Sequence, residues 1–184
     1  MPSVWSCARM VACCGFIAVS VQVATAADMV DHTTNCQSPG WDMRRELTAF
    51  GMEPLREAAA DGAPKAPVLR LGTLYALRLH PQGEVRFAEP PGRGGKSTTP
   101  MAGMARITVR SSGLYRITLD SPLWIDVVTP EGILAPTDYT GWHECGVFRK
   151  SVVFSLKAGH AVALQFSDAA TDLVKVVIEP AASP

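Results

Sequence analysis

Between Tyr75 and Ile178 apolar and polar side chains alternate with a period of two, and this restricts what the chain can fold into more than any other feature. A period of two sends successive side chains to opposite faces of a pleated ribbon; a helix would scatter them around its circumference. Tyr75, Leu77 and Leu79 alternate with Ala76, Arg78 and His80, and Val85 and Phe87 alternate with Glu84, Arg86 and Ala88. With Pro81-Gln82-Gly83 between them, these runs are expected to pair as a hairpin. Ile107 and Val109 are set against Arg106, Thr108 and Arg110, and after Ser111-Ser112-Gly113 come Tyr115, Ile117 and Leu119 against Arg116, Thr118 and Asp120. That is the clearest hairpin pattern in the chain.

Leu123 to Thr129 reads as a further strand, turned by Pro130-Glu131-Gly132 into a short return over Ile133 to Ala135. Three more runs follow, over Val152 to Leu156, Val162 to Phe166 and Val174 to Ile178. Eight or nine short strands with turn residues at this spacing predict an all-β domain, an antiparallel β-sandwich of jelly-roll or immunoglobulin-like type, over residues 68–184. Ahead of it, residues 27–67 form an N-terminal extension with one short helix. Asp42 is placed to cap that helix, Met43, Leu47 and Phe50 share one face, and Gly51 stops it. Residues 53–67 read as a connecting segment.

The segment before the extension reads as a cleavable export signal over residues 1–26. Arg9 is its only charge, Met10 to Val23 is an apolar run, and Ala24-Thr25-Ala26 supplies small residues where signal peptidase cuts. The run is shorter than the roughly 20 residues of a spanning helix, so no membrane span is expected in the mature form. Val11-Ala12-Cys13 is set aside as a lipidation site, because cleavage there would leave almost no apolar run before it. Export removes Cys7, Cys13 and Cys14 and leaves Cys36 and Cys145 in an oxidising compartment, where an even pair reads as a disulfide. Seventeen basic residues balance seventeen acidic ones, so the chain lacks the long-range field that gathers a phosphate backbone, and nucleic acid is excluded as a partner.

Catalytic and metal-binding patterns are wanting. Gly94-Gly95-Lys96-Ser97 resembles the end of a phosphate-binding loop, but Pro90 stands where the pattern needs glycine and Pro100 denies it the following helix; a mobile basic loop is expected. His32, His80, His143 and His160 form no pair at ligand spacing, and no serine sits in a nucleophile elbow. Neither a metal nor a cofactor is expected. Asp120 and Asp126 are placed on adjacent strands with no partner marking either as an acid or a base. Asp126 either faces inward, where it must find an Arg or a backbone donor, or outward into water, which is the expected placement. The most informative stretch is Asp138-Tyr-Thr-Gly-Trp-His-Glu-Cys145. Tyr139, Trp142, His143 and Glu144 are the candidate ligand-binding residues: aromatic rings stack on sugar faces while carboxylates accept hydroxyl hydrogen bonds. The same rings can instead cover the disulfide and the end of the core.

Gly113-Leu-Tyr-Arg-Ile-Thr-Leu119, Leu123-Trp-Ile-Asp-Val-Val128, Cys145, Lys150 to Leu156 and Leu164 to Ser167, together with Cys36, Trp41 and Leu74 to Leu79, resemble a group of small exported proteobacterial proteins of uncharacterised function. Some of these carry the label homogentisate 1,2-dioxygenase, whose His/His/Glu iron motif matches no positions here. More loosely, G-x-Y-x-I-x-L is similar to pre-peptidase C-terminal and carbohydrate-binding sandwich domains, a likeness of fold alone. The resemblance implies a periplasmic location. The expected function is a non-catalytic envelope protein binding a glycan or a protein. The alternatives are a metal-dependent enzyme, through His143 and Glu144, and a purely structural envelope protein.

Overall fold

The computed structural model describes residues 35–93, 95 and 97–181, so the export signal expected over residues 1–26, and His32, lie outside the described residues. The described chain is predominantly strand, with one helix, α1 (Arg44–Phe50), and eleven strands where the alternation suggested eight or nine. The strands are β1 (Leu55–Ala58), β2 (Tyr75–Arg78), β3 (His80–Pro81), β4 (Met101–Thr108), β5 (Gly113–Leu119) and β6 (Trp124–Thr129), followed by β7 (Gly132–Leu134), β8 (Asp138–Gly141), β9 (Lys150–Leu156), β10 (Ala161–Ala169) and β11 (Leu173–Pro180). They form a six-stranded sheet in the order β1-β2-β11-β5-β9-β8 and a five-stranded sheet in the order β3-β4-β10-β6-β7.

The dry positions of the alternation meet in one core. Tyr75, Leu77, Tyr115, Ile117, Leu119, Val152, Phe154, Val174, Val176 and Ile178 of the six-stranded sheet share a buried cluster with Ile107, Ile125, Val127, Val162, Leu164 and Phe166 of the five-stranded one. Each large apolar side chain so buried contributes roughly 1.5–3 kcal/mol before chain entropy is subtracted.

Pairing differs from expectation in three places. The stretch 53–67, read as a connection, supplies β1, which lies parallel to β2 with Leu55 opposite Tyr75, so the six-stranded sheet is mixed. The run Tyr75 to Leu79 does not pair with Val85 to Phe87. After β2 the chain crosses to the other sheet as β3, and Gln82–Glu84 is a turn of 3-10 helix. Pro81 has no N–H for a longer ladder, and the Leu79 N–H is taken at the crossing by the Asp172 carbonyl at 2.7 Å. The clearest expected hairpin is likewise no hairpin, because β4 belongs to the five-stranded sheet and β5 to the six-stranded one. Ser111 and Ser112 carry the chain between them, held by Tyr115 Oη–H donating to the Ser111 carbonyl at 2.7 Å. Alternation records which face is dry; it is silent on which strand lies beside which.

The second face of each sheet is also covered, which the alternation did not foresee. On the six-stranded sheet the cover is α1 and the loop closed by the Cys36–Cys145 disulfide, with Cα atoms 4.7 Å apart. Met43, Leu47 and Phe50 do share a face, and they pack with Cys36, Trp142, Cys145 and Phe148. Ala49 on the adjoining face meets Leu74 and Val177. Asp42 accepts the Arg44 N–H at 3.2 Å just outside the helix, although Met43 occupies the cap position. Glu46 is fully buried and accepts from Arg116 Nε at 2.6 Å, while Arg116 also donates to the Asp42 carbonyl at 2.7 Å. Glu179, near this pair, has its carboxyl pushed upward by burial and by the negative charge of Glu46.

On the five-stranded sheet the cover is the Pro/Gly-rich segment between β3 and β4. Val85 and Phe87 pack on Ala102, Met104 and Ala163, and Gln165, fully buried, accepts the N–H groups of Ala88 and Glu89 and donates to the Glu89 carbonyl. Further along, Asp126 accepts the Gly92 N–H at 3.1 Å and Asp168 the Ser97 N–H at 2.9 Å. The segment expected to be a mobile loop is therefore pinned at several points. Its glycines follow from that proximity: a methyl group on Gly92 would stand 2.9 Å from Asp126 Oδ1, and one on Gly95 would overlap the Asp168 carboxylate.

Candidate functional site

A cleft of about 760 Å³ opens between the β6 side of one sheet and the β8–β9 edge of the other, lined by Arg93, Trp124, Tyr139, His143, Arg149 and Lys150 among others. A second, of about 400 Å³, adjoins it and runs under β7 toward Leu134 and Pro136; the two share Arg93, Trp124, Tyr139 and Lys150. Volumes of this order suit small-molecule binding, for which roughly 300–1,000 Å³ is usual.

The floor is built by β6. Alternation sends Ile125 and Val127 into the core and turns Trp124 and Asp126 to the opposite face. Asp126 thus points away from the core, as expected, yet it is buried rather than wet, because the segment around Gly92 lies across it. Its carboxylate also accepts the Trp124 indole N–H at 2.9 Å, which fixes the indole plane. Asp120, read as standing on a neighbouring strand, follows β5 in the other sheet and accepts the Lys175 N–H at 2.8 Å.

Two cations converge on that indole: Lys150 Nζ lies 4.7 Å from the ring centroid and Arg93 Cζ 5.9 Å. Lys150, the first residue of β9, donates to the Leu123 carbonyl at 2.9 Å. Partial burial, reinforced by the positive charge of Arg93 and opposed by Asp126, lowers its ammonium below the ordinary lysine range. Arg149 extends along the same wall and donates to the His143 carbonyl at 2.7 Å.

Tyr139 lies in β8, a strand within the stretch read as an aromatic loop, and the residue is 71% exposed at the mouth of the cleft. Trp142, three residues on, has the other fate proposed for these aromatics. It is buried against Phe148 at 5.3 Å and Trp41 at 6.1 Å, and its indole N–H donates to Ser151 Oγ at 3.0 Å. Ser151 in turn bonds Thr118 at 2.8 Å across the sheet. Trp142 belongs to the packing around the disulfide.

No family model matches this chain, and no curated protein matches it.

His143 lines the larger cleft, while Glu144 is exposed and is not among the lining residues. Among the described residues no three His, Cys, Asp or Glu side chains gather as metal ligands. His80 is engaged elsewhere, with Nε2 2.7 Å from the Ala59 carbonyl, and His160 is on the surface. Of the four residues expected to meet a ligand, the cleft brings together Tyr139, His143 and part of Trp142. The sequence reading missed Trp124, Arg93 and Lys150. Trp124 alone had left a trace, two positions from Asp126 and hence on its face. Arg93 and Lys150 lie 57 positions apart and had none. Also among the described residues, no helix is long and apolar enough to cross a membrane.

Proposed function

We propose that this chain is an exported, non-catalytic β-sandwich protein of the periplasm that binds a cell-envelope ligand or partner, a glycan or a protein, in the cleft beside Tyr139. The observation that carries the reading is the placement of Tyr139. A large aromatic residue left 71% exposed at a cleft mouth, with two cations gathered on an indole that lines the same cleft, is not accounted for by core packing. A flat apolar face with a polar tip, beside fixed charges, is a common composition of binding surfaces.

Export is supported by the apolar run before Ala24-Thr25-Ala26 and by a disulfide of the kind oxidising compartments maintain. The sandwich reading is supported by the core cluster drawn from both sheets.

Cell-envelope extracts passed over the immobilised mature chain, together with a glycan array, test the binding role. Wild type is expected to retain a ligand that Tyr139→Ala releases, and retention indifferent to that substitution would overturn the assignment. Fractionation of the expressing cells tests the location, with the processed chain expected in the periplasmic fraction.

A further inference from the structure

We infer that the ligand of this cleft is an anionic saccharide, its carboxylate or phosphate held between Lys150 and Arg93 and its sugar ring laid on Tyr139; this rests on the binding role proposed above. The charge arrangement comes first. Arg44, Arg78, Arg86 and Arg116 each have a carboxylate within ion-pair distance. Among the described residues, Arg93, Arg149 and Lys150 form no such pair, as is true of other cations such as Arg70 and Arg110, but these three are brought together in one cleft. Two carboxylates line these clefts: Asp126, which accepts from Gly92 and Trp124 and whose charge offsets part of the burial effect on Lys150, and Asp168, which accepts from Ser97.

Two like charges held on one ring repel each other, and Lys150 has also lost part of its hydration. An anion placed between them relieves both penalties. The ammonium carries three N–H groups and uses one on the Leu123 carbonyl, and the guanidinium of Arg93 presents a fork suited to carboxylate or phosphate oxygens.

The saccharide component follows from the aromatic rings. Trp124 is already engaged by cations, with its N–H given to Asp126, so it serves to position them. Tyr139 is the ring left open, and the C–H face of a pyranose is the flat apolar surface that matches it. Thr140 and His143 line the same cleft beside it. The anchor residues are shared by two adjoining clefts, which leaves room for sugar units on either side of the charged one.

The experiment titrates the mature chain, followed by tryptophan fluorescence, with trigalacturonic acid, its methyl ester, mannose 6-phosphate, inorganic phosphate and a triglutamate peptide. The acid and its ester share one sugar backbone, and the ester exchanges each negative charge for a methyl group. The charged trisaccharide or the sugar phosphate is expected to bind at least about tenfold more tightly than the ester. Arg93→Gln, on an exposed side chain, and Lys150→Gln, which can keep the bond to Leu123, are each expected to weaken it about fivefold or more, as is raising salt toward about 1 M. Whether the uronate or the sugar phosphate binds assigns the anion, and phosphate alone is expected to bind weakly for want of a ring.

Equal binding of acid and ester, or no effect of either substitution, would sink the anionic assignment while leaving the binding role intact. Triglutamate outcompeting every sugar, or Tyr139-dependent capture of an envelope protein with no saccharide bound, would transfer the site to a protein partner. Loss of all Tyr139-dependent capture would remove the binding role as well.

Discussion

Asp138 to Cys145 feeds two regions built on opposite principles. At its C-terminal end, Trp142 and Cys145 are immobilised in a knot with Cys36, Phe148 and Trp41, where every large ring is covered by another. At its N-terminal end, Tyr139 stands free over a cleft whose polar groups are fixed from below. Only two residues lie between the two aromatics. The difference shows that a binding surface needs its rigidity in the layer beneath the contacting groups. Here the disulfide and the Trp142–Ser151–Thr118 hydrogen-bond chain brace β9 from one face, leaving Lys150 half-buried at its start and Tyr139 exposed on the adjoining β8.

The contrast predicts which substitutions unfold the protein and which only empty it. The largest effect belongs to the disulfide. Closing a loop of 109 residues limits the unfolded chain by about 4–5 kcal/mol at most, so reduction, or Cys36→Ala with Cys145→Ala, should lower the urea midpoint by the corresponding amount. Trp142→Ala comes next, with an expected loss of about 3–5 kcal/mol from the emptied site. A loss below about 1 kcal/mol would mean that Trp142 is a surface ring like its neighbour.

Asp126→Ala crosses the boundary between the regions. It strands the Gly92 and Trp124 N–H groups, costs about 1–3 kcal/mol, and should accelerate amide exchange at Gly92 and Ala88 while leaving the knot protected. Smallest is Tyr139→Ala, expected to change stability by no more than about 0.5 kcal/mol while abolishing ligand capture. If that variant unfolded the chain, the division between brace and contact surface would fail.

The dry half of the alternation was legible from sequence. Nearly every apolar residue assigned to an inward face, from Tyr75 to Ile178, is in the main cluster. The wet half was misread at Arg116, Thr118 and Asp126, all buried. A polar residue at alternate positions looks the same whether it meets water or an overlying segment, and here each is a fastening point for a cover. Pairing was equally hidden. Ser111-Ser112-Gly113 has the composition of a hairpin turn, yet it carries the chain from one sheet to the other, because a short flexible link constrains reach and not direction. The cleft was half legible. Tyr139 stood out by its type and its distance from the disulfide, but the convergence of Arg93 and Lys150 on Trp124 depends on how a glycine-rich segment folds back across β6, which no local spacing encodes.

The order of strands also governs when the molecule can come into being. β9, β10 and β11, all after Arg149, take interior places in the two sheets; until they arrive the earlier strands form only the separate pairs β1–β2, β3–β4 and β6–β7, with β5 and β8 unpaired. A nascent chain halted before Lys150 therefore holds only fragments of the two sheets and lacks the β9 wall of the cleft. Assembly has to wait for the last stretch of polypeptide, as non-local topologies generally require.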